Sequence, residues 1–118
     1  MLITGAVTLL ATAPAKAQQP GGAGWSQTGI ASFYSKFWHG RRTASGERFD
    51  NNELTAAHPW LPFGTRVRVL AEQTGQEVVV TITDRMFSSS RVIDLSQRAA
   101  RALGILRAGT AEVTLVAE

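Results

Sequence analysis

Residues Thr65 to Thr83 constrain the fold of this chain more than any other stretch. Val67, Val69 and Ala71 alternate with Arg66 and Arg68, the period-two pattern of a strand with one apolar and one wet face. Thr74-Gly75 then marks a turn. Glu77 to Thr83 follows with Val78-Val79-Val80 and Ile82, predicting a strand buried on both sides and antiparallel to the first. Other segments supply further strands: Ile30 to Tyr34, the short apolar Leu54 to Ala57, a strand or turn beginning at Ile93, and Thr110 to Ala117, which alternates through Ala111, Val113 and Leu115. One helix is predicted over Leu95 to Leu103, with Leu95, Ala99, Ala102, Leu103 and Leu106 on its apolar stripe. Asp94 is its expected N-cap, Gln97 sits at the capping-box position and Gly104 is the stop. Five or six short strands with one brief helix predict a mostly β fold, a small closed barrel in which no sheet edge is left exposed.

At 118 residues this is one domain, and a core of that size needs neither metal nor disulfide staples. An apolar fraction of 44% and a charged fraction of 18% argue against extended disorder. Leu2 to Pro14 is apolar and small, and Ala15-Lys16-Ala17 gives an Ala-x-Ala cleavage pattern, so residues 1–17 read as a signal peptide too short to anchor in a bilayer. The Gly-rich stretch 18–28 reads as a flexible linker and 29–117 as the folded domain. With no cysteine there is neither a disulfide nor a thiol to carry lipid, which predicts a soluble periplasmic or secreted protein without a stable membrane anchor.

The groups able to move protons are few. The chain has three aspartates, Asp50, Asp84 and Asp94, and two histidines, His39 and His58. Asp50 and His58 fall in one loop-like segment, Gly40 to His58, together with Glu47. Asp84 ends the apolar strand, where the backbone is firm and the side chain meets solvent. Cleaving a glycosidic bond takes a carboxylic acid to protonate the departing oxygen and a second carboxylate nearby, and Asp84 with Glu47 meets that requirement. Arg85, on the opposite face of the strand from Asp84, is placed to tie down the adjoining loop.

Each of these residues also has a structural reading. Asp84 reads equally as a strand-end carboxylate capping amides or pairing Arg85; Glu47 and Asp50 read as solvated turn residues, and His58 as a hydrogen-bonded structural histidine. A His39-Asp50-His58 zinc set has no tight ligand spacing behind it. Trp38, Trp60, Tyr34 and Phe37 suit a sugar-stacking groove, whereas Phe33 and Phe63 read as barrel core. There is no Gly-x-Ser-x-Gly elbow, phosphate loop or thiol for covalent catalysis. The formal charge is +3, but the ten arginines are scattered, so nucleic acid is not the expected partner.

The blocks Gly29-Ile30-Ala31-Ser32-Phe33-Tyr34, Gly40 to Asp50, Leu54-Thr55-Ala56-Ala57-His58, Leu61 to Val69, Thr83-Asp84-Arg85 and Ile93-Asp94-Leu95-Ser96, in that order, resemble the rare lipoprotein A family. The resemblance covers about Gly29 to Val116. It implies a six-stranded double-psi β-barrel related to barwin, expansins and the catalytic domain of a membrane-bound lytic transglycosylase. The implied activity is endolytic cleavage of peptidoglycan glycan strands between N-acetylmuramic acid and N-acetylglucosamine, favouring strands without stem peptides and leaving a 1,6-anhydro end. Asp84 is the implied acid and then base, assisted by Glu47, with Asp50, His58, Arg85 and Thr43 supporting the groove. No metal or cofactor is implied, and a monomer is expected. The family's usual Asp-Arg-Gly-Pro-Phe is here Asp84-Arg85-Met86-Phe87-Ser88, and its lipid-bearing cysteine and C-terminal peptidoglycan-binding repeat are absent from this sequence. The rival expectations are an expansin-like wall-binding module, in which Met86-Phe87 misplaces the acid, and a metal-dependent hydrolase.

Overall fold

A computed structural model describes residues 24–118; the signal-peptide reading and most of the linker fall outside the described residues. The strands are β1 (Ser26–Phe33), β2 (Thr55–Ala57), β3 (Arg66–Ala71), β4 (Glu77–Asp84), β5 (Arg91–Leu95) and β6 (Ala111–Ala117). They close in the order β1-β5-β2-β4-β3-β6. The pairs β1·β5 and β2·β4 are parallel and the other ladders antiparallel, giving the mixed six-stranded closure of a double-psi barrel.

The β3–β4 hairpin forms as its pattern dictates. Val67, Val69 and Ala71 are buried while Arg66 and Arg68 face solvent. Strand β4 departs from expectation: Val80 and Ile82 are fully buried, but Val78 and Val79 only partly so. A closed barrel gives each strand one interior face, and Val79 stands in register with the exposed Arg68 on the outer wall. Strand β1 begins at Ser26, and Trp25 before it is buried, so the folded unit starts earlier than Gly29.

The helix α1 spans Gln97–Leu103, and its N-cap is Ser96, not Asp94; the Ser96 side chain accepts from Ala99 N–H at 3.2 Å. Ser96 wins because Asp94 and Leu95 are still paired in β5, so the chain leaves the sheet one residue before the first turn. Ala99, Ala100 and Leu103 form the buried stripe, with Ala102 turned to solvent. Gly104 closes the helix at φ 77°, a left-handed C-cap.

Two register shifts position the functional end of the barrel. In β1·β5 the pairing skips Val92, which seats over Gly29; a Cβ at Gly29 would stand 2.4 Å from Val92 Cγ1. In β2·β4 the pairing passes from Ala56↔Ile82 to Ala57↔Asp84, leaving Thr83 as the extra residue. That bulge frees the Thr83 carbonyl to accept from Ser45 N–H at 3.2 Å, docking the Gly40–Phe49 loop beside Asp84.

Candidate active site

The docked loop is a small hairpin in its own right. Gly40 N–H bonds Phe49 O and Phe49 N–H bonds Arg41 O, both at 2.7 Å, while Thr43 N–H bonds Glu47 O at 2.8 Å. Gly46, at φ 95°, turns the tip in a conformation that a side chain would strain. This rigid tip aims the Ala44 amide at Asp84.

Asp84 is held from three directions. Its Oδ1 accepts from Ala44 N–H at 2.7 Å and Arg85 N–H at 2.9 Å, and its Oδ2 accepts from the Tyr34 hydroxyl at 2.5 Å. Both lone pairs of Oδ1 are thereby used, and one on Oδ2 remains open. The Tyr34 phenol is raised above the ordinary tyrosine range, first by burial, then by the bond to Asp84 and the negative charges of Asp84 and Asp94, so it stays protonated and remains the donor. Its ring stacks on Phe49 with centroids 4.3 Å apart.

Asp84 lies in an open groove of about 690 Å³, whose walls include Phe33, Trp38, Phe49, Met86 and Phe87. Met86 is buried at 6% exposure, whereas Phe87 projects from the rim at 86%. Arg41, Arg42 and Arg91 add cationic edges. Arg41 lies 3.8 Å over the Phe37 ring and bonds Phe37 O, so Phe37 supports an arginine and does not line the groove.

The other expected site residues do not all converge there. Thr43 lines the groove, with its hydroxyl bonded to Ser45 Oγ at 2.8 Å and Glu47 O at 2.9 Å. Glu47 lies outside the groove lining: its exposed side chain borders a shallow neighbouring cleft that it shares with Asp50 and Thr43. Asp50 turns away because its Oδ1 accepts from Asn52 N–H at 2.8 Å, a local turn that fixes the carboxylate on its own backbone. His39 Nδ1 lies 3.8 Å from Asp50 Oδ1 but accepts from Asn51 N–H at 3.1 Å, so that nitrogen has no proton to give the carboxylate.

His58 is fully buried, away from the groove. Its Nε2 pairs with Gln27 Oε1 at 2.9 Å, and its Nδ1 accepts from the Trp60 and Leu61 amides at 3.2 Å each. Trp25 and Trp60 pack edge-on against it. Burial first, and the Arg85 charge second, push its pKa down to about 4. With both ring nitrogens engaged, His58 does not join His39 and Asp50 in a ligand set. Its backbone does reach the site: His58 N–H bonds Asp84 O at 3.2 Å, and His58 O accepts from Arg85 Nη1 at 3.3 Å. Arg85 also lies 4.2 Å over Phe63, which is a solvent-facing support and not core. Trp60 likewise packs on His58 and Trp25 outside the groove.

The residue that sequence reasoning placed wrongly is Asp94. It lines the groove with Asp84, accepts from the Ser32 hydroxyl, and is gripped by Arg91 through Nε–Oδ1 at 3.0 Å and Nη2–Oδ2 at 3.2 Å. The signal was Arg91-Val92-Ile93-Asp94-Leu95, whose alternation already put Asp94 opposite the buried Ile93 and Leu95.

Against known families, residues 26–115 match the family model described as lytic transglycolase, a double-psi β-barrel family. The chain belongs to this lytic transglycolase family. Curated relatives named as endolytic peptidoglycan transglycosylase RlpA include one from Neisseria meningitidis, 46% identical over 92 residues, covering 77% of this chain and 38% of the relative. One from Vibrio cholerae is 42% identical over 93 residues, covering 78% and 35%. A probable RlpA from Synechocystis is 60% identical over 88 residues, covering 74% and 27%. The chain thus spans about a quarter to two-fifths of the length of these relatives. Among solved structures, the Streptomyces papain inhibitor superposes with a TM-score of 0.65 at 27% identity, covering 80% of this chain and 94% of that one. A Clavibacter michiganensis expansin in complex with cellohexaose gives 0.65 at 21% identity, covering 80% and 50%, a likeness of fold alone. In this lytic transglycolase domain, Met86-Phe87 leaves Asp84 tethered: the Arg85 amide just ahead of the changed residues is one of its donors.

Proposed function

We propose that this domain cleaves peptidoglycan glycan strands as an endolytic lytic transglycosylase, outside the cytoplasm, as a monomer and without a metal or cofactor. The observation that carries the reading is the triple anchorage of Asp84 on the wall of an open aromatic groove. Names of relatives at 42% to 60% identity point to the same substrate. Among the described residues no helix is long and apolar enough to cross a membrane.

The open lone pair on Oδ2 is where Asp84 exchanges a proton. Its acid form gives that proton to the glycosidic oxygen; the bond from the N-acetylmuramic acid C1 to that oxygen breaks, and the N-acetylglucosamine 4-hydroxyl leaves. The 6-hydroxyl oxygen then bonds to the cationic C1, closing the 1,6-anhydro ring, while its proton returns to Oδ2. One oxygen serves as acid and base because the tether leaves it a single free direction. Thr43 and Arg85 hold the two segments that supply Asp84's amide donors, and Glu47 supports the loop tip through its carbonyl. Asp50 and His58 act at one remove, through turn and core.

The test is digestion of purified sacculi by the wild type and by Asp84→Asn, with products read by mass spectrometry. Wild type is expected to release anhydro-muropeptides and the variant to lose about a hundredfold or more in rate. If neither releases product while both sediment with the wall, the enzyme reading gives way to the wall-binding one. Unchanged activity in Asp84→Asn removes Asp84 from the chemistry. Activity abolished by exhaustive chelation and restored by added metal would favour metal-dependent hydrolysis.

A further inference from the structure

We infer that Asp94 is the second catalytic carboxylate of this groove, taking the place that chain order suggests for Glu47; the inference rests on the glycan-cleaving reading above. The barrel's register brings it there. Ser32 of β1 pairs with Asp94 of β5, Asp94 with Ala57 of β2, and Ala57 with Asp84 of β4. These four residues form one row across four adjacent strands, with the fully buried Ala57 between the two aspartates and the Tyr34 hydroxyl, bonded to Asp84, close enough to feel the charge of Asp94 as well. Two inter-strand steps separate the Cα atoms of the two aspartates by about 10 Å. Both carboxyl groups therefore stand on one wall of the groove, the two-acid arrangement that glycan-cleaving sites use.

Strand β1 holds both acids. Its hydroxyl at Ser32 bonds Asp94, and the hydroxyl of Tyr34, just past the end of the strand, bonds Asp84. Asp94 mirrors Asp84 in its remaining capacity. Ser32 and Arg91 Nε occupy Oδ1, Arg91 Nη2 takes one site on Oδ2, and one lone pair of Oδ2 stays open. Its side chain retains 18% exposure. A carboxylate fixed in this way needs no reorganisation to face positive charge developing at C1. The Arg91 fork fixes its plane, and Asp84 alone moves the proton.

Glu47 has none of these features: it lies outside the groove lining, and no side-chain hydrogen bond fixes it among the described residues. The deciding experiment compares Asp94→Asn, Asp94→Glu and Glu47→Gln with wild type for rate of anhydro-muropeptide release, sedimentation with sacculi, and thermal midpoint. Asp94→Asn keeps the Ser32 contact but loses an acceptor for Arg91, and is expected to lose about a hundredfold in kcat while binding the wall as wild type does, with any drop in midpoint too small to unfold it at the assay temperature. Asp94→Glu is expected to recover part of the rate, and Glu47→Gln to lose less than Asp94→Asn does. The inference is overturned if Asp94→Asn turns over within about threefold of wild type, or if its loss follows weakened wall binding and a lowered midpoint that Asp94→Glu does not restore. A wild type that releases no product sinks the enzyme reading and this assignment with it; an active wild type with an active Asp94→Asn sinks the assignment alone.

Discussion

Acidification should destabilise this domain through one buried side chain, His58. Its Nδ1 accepts two backbone amides and its Nε2 pairs with the Gln27 carbonyl oxygen, which selects the neutral tautomer carrying its proton on Nε2. Protonating Nδ1 would point a new N–H at two N–H donors inside the core. The folded-state pKa of about 4 lies below the ordinary 6.5, so between those values the unfolded chain binds more protons than the folded one. Stability from this residue is therefore complete above pH 6.5 and lost as pH falls toward 4. A depression of that size costs about 2 kcal/mol at pH 5 and about 3 kcal/mol at pH 4. For a domain whose whole stability is on the order of 5 to 15 kcal/mol, the latter lowers the melting midpoint by roughly 15 °C. Urea denaturation of wild type and His58→Gln, repeated from pH 7.5 to pH 4, isolates the effect, because every other group is common to both proteins and cancels in the difference. The free-energy gap between the two should close by about 3 kcal/mol over that range. A gap constant to within about 0.5 kcal/mol would show that His58 does not titrate against folding, and the burial argument would fail. At pH 7, glycan cleavage by the variant should track the fraction folded.

Three further substitutions probe the supports of the groove. Tyr34→Phe keeps the stack on Phe49 but removes a donor to Asp84; losing the charge-assisted bond, about 2 kcal/mol, should lower the melting midpoint by roughly 10 °C and, assayed where the variant is still folded, cut kcat/KM by up to about thirtyfold. Gly29→Ala forces a methyl against Val92, and should cost about 1 to 3 kcal/mol in denaturation, with much of it recovered in Gly29→Ala/Val92→Ala. Ser96→Ala removes the cap of α1 and the 2.5 Å bond to Glu53 O, so about 1 to 2 kcal/mol of stability should go, whereas Asp94→Asn should leave the helix intact.

The β3–β4 hairpin was legible because one stretch carried both signals needed, alternation in Arg66 to Ala71 and an apolar run after a Gly turn. What local pattern could not supply was which strands close the barrel. The parallel pairs β1·β5 and β2·β4 join segments far apart in the chain, and both contain register shifts invisible to a periodicity count. The Asp94 cap failed for the same reason. Ser96 and Asp94 are both good cap residues, and only the pairing of Asp94 and Leu95 in β5 decides between them.

The site followed a similar division. Asp84 could be picked out because a strand end fixes an acid whatever its neighbours are. Glu47, Asp50 and His58 were grouped with one another by nearness in sequence and joined to Asp84 by the family resemblance, but the fold disperses their side chains: Asp50 bonds its own turn, His58 enters the core, and Glu47 faces the next cleft. Registered strands do the opposite. They bring Ser32, Asp94, Ala57 and Asp84 from four elements into one row, although no two of them lie within nine positions of each other. In a closed barrel the cross-strand row, more than the linear motif, defines which acids share one groove. The three-donor hold on Asp84 depends on it too, since Tyr34 reaches the acid only because β5 and β2 intervene between β1 and β4 at fixed spacing.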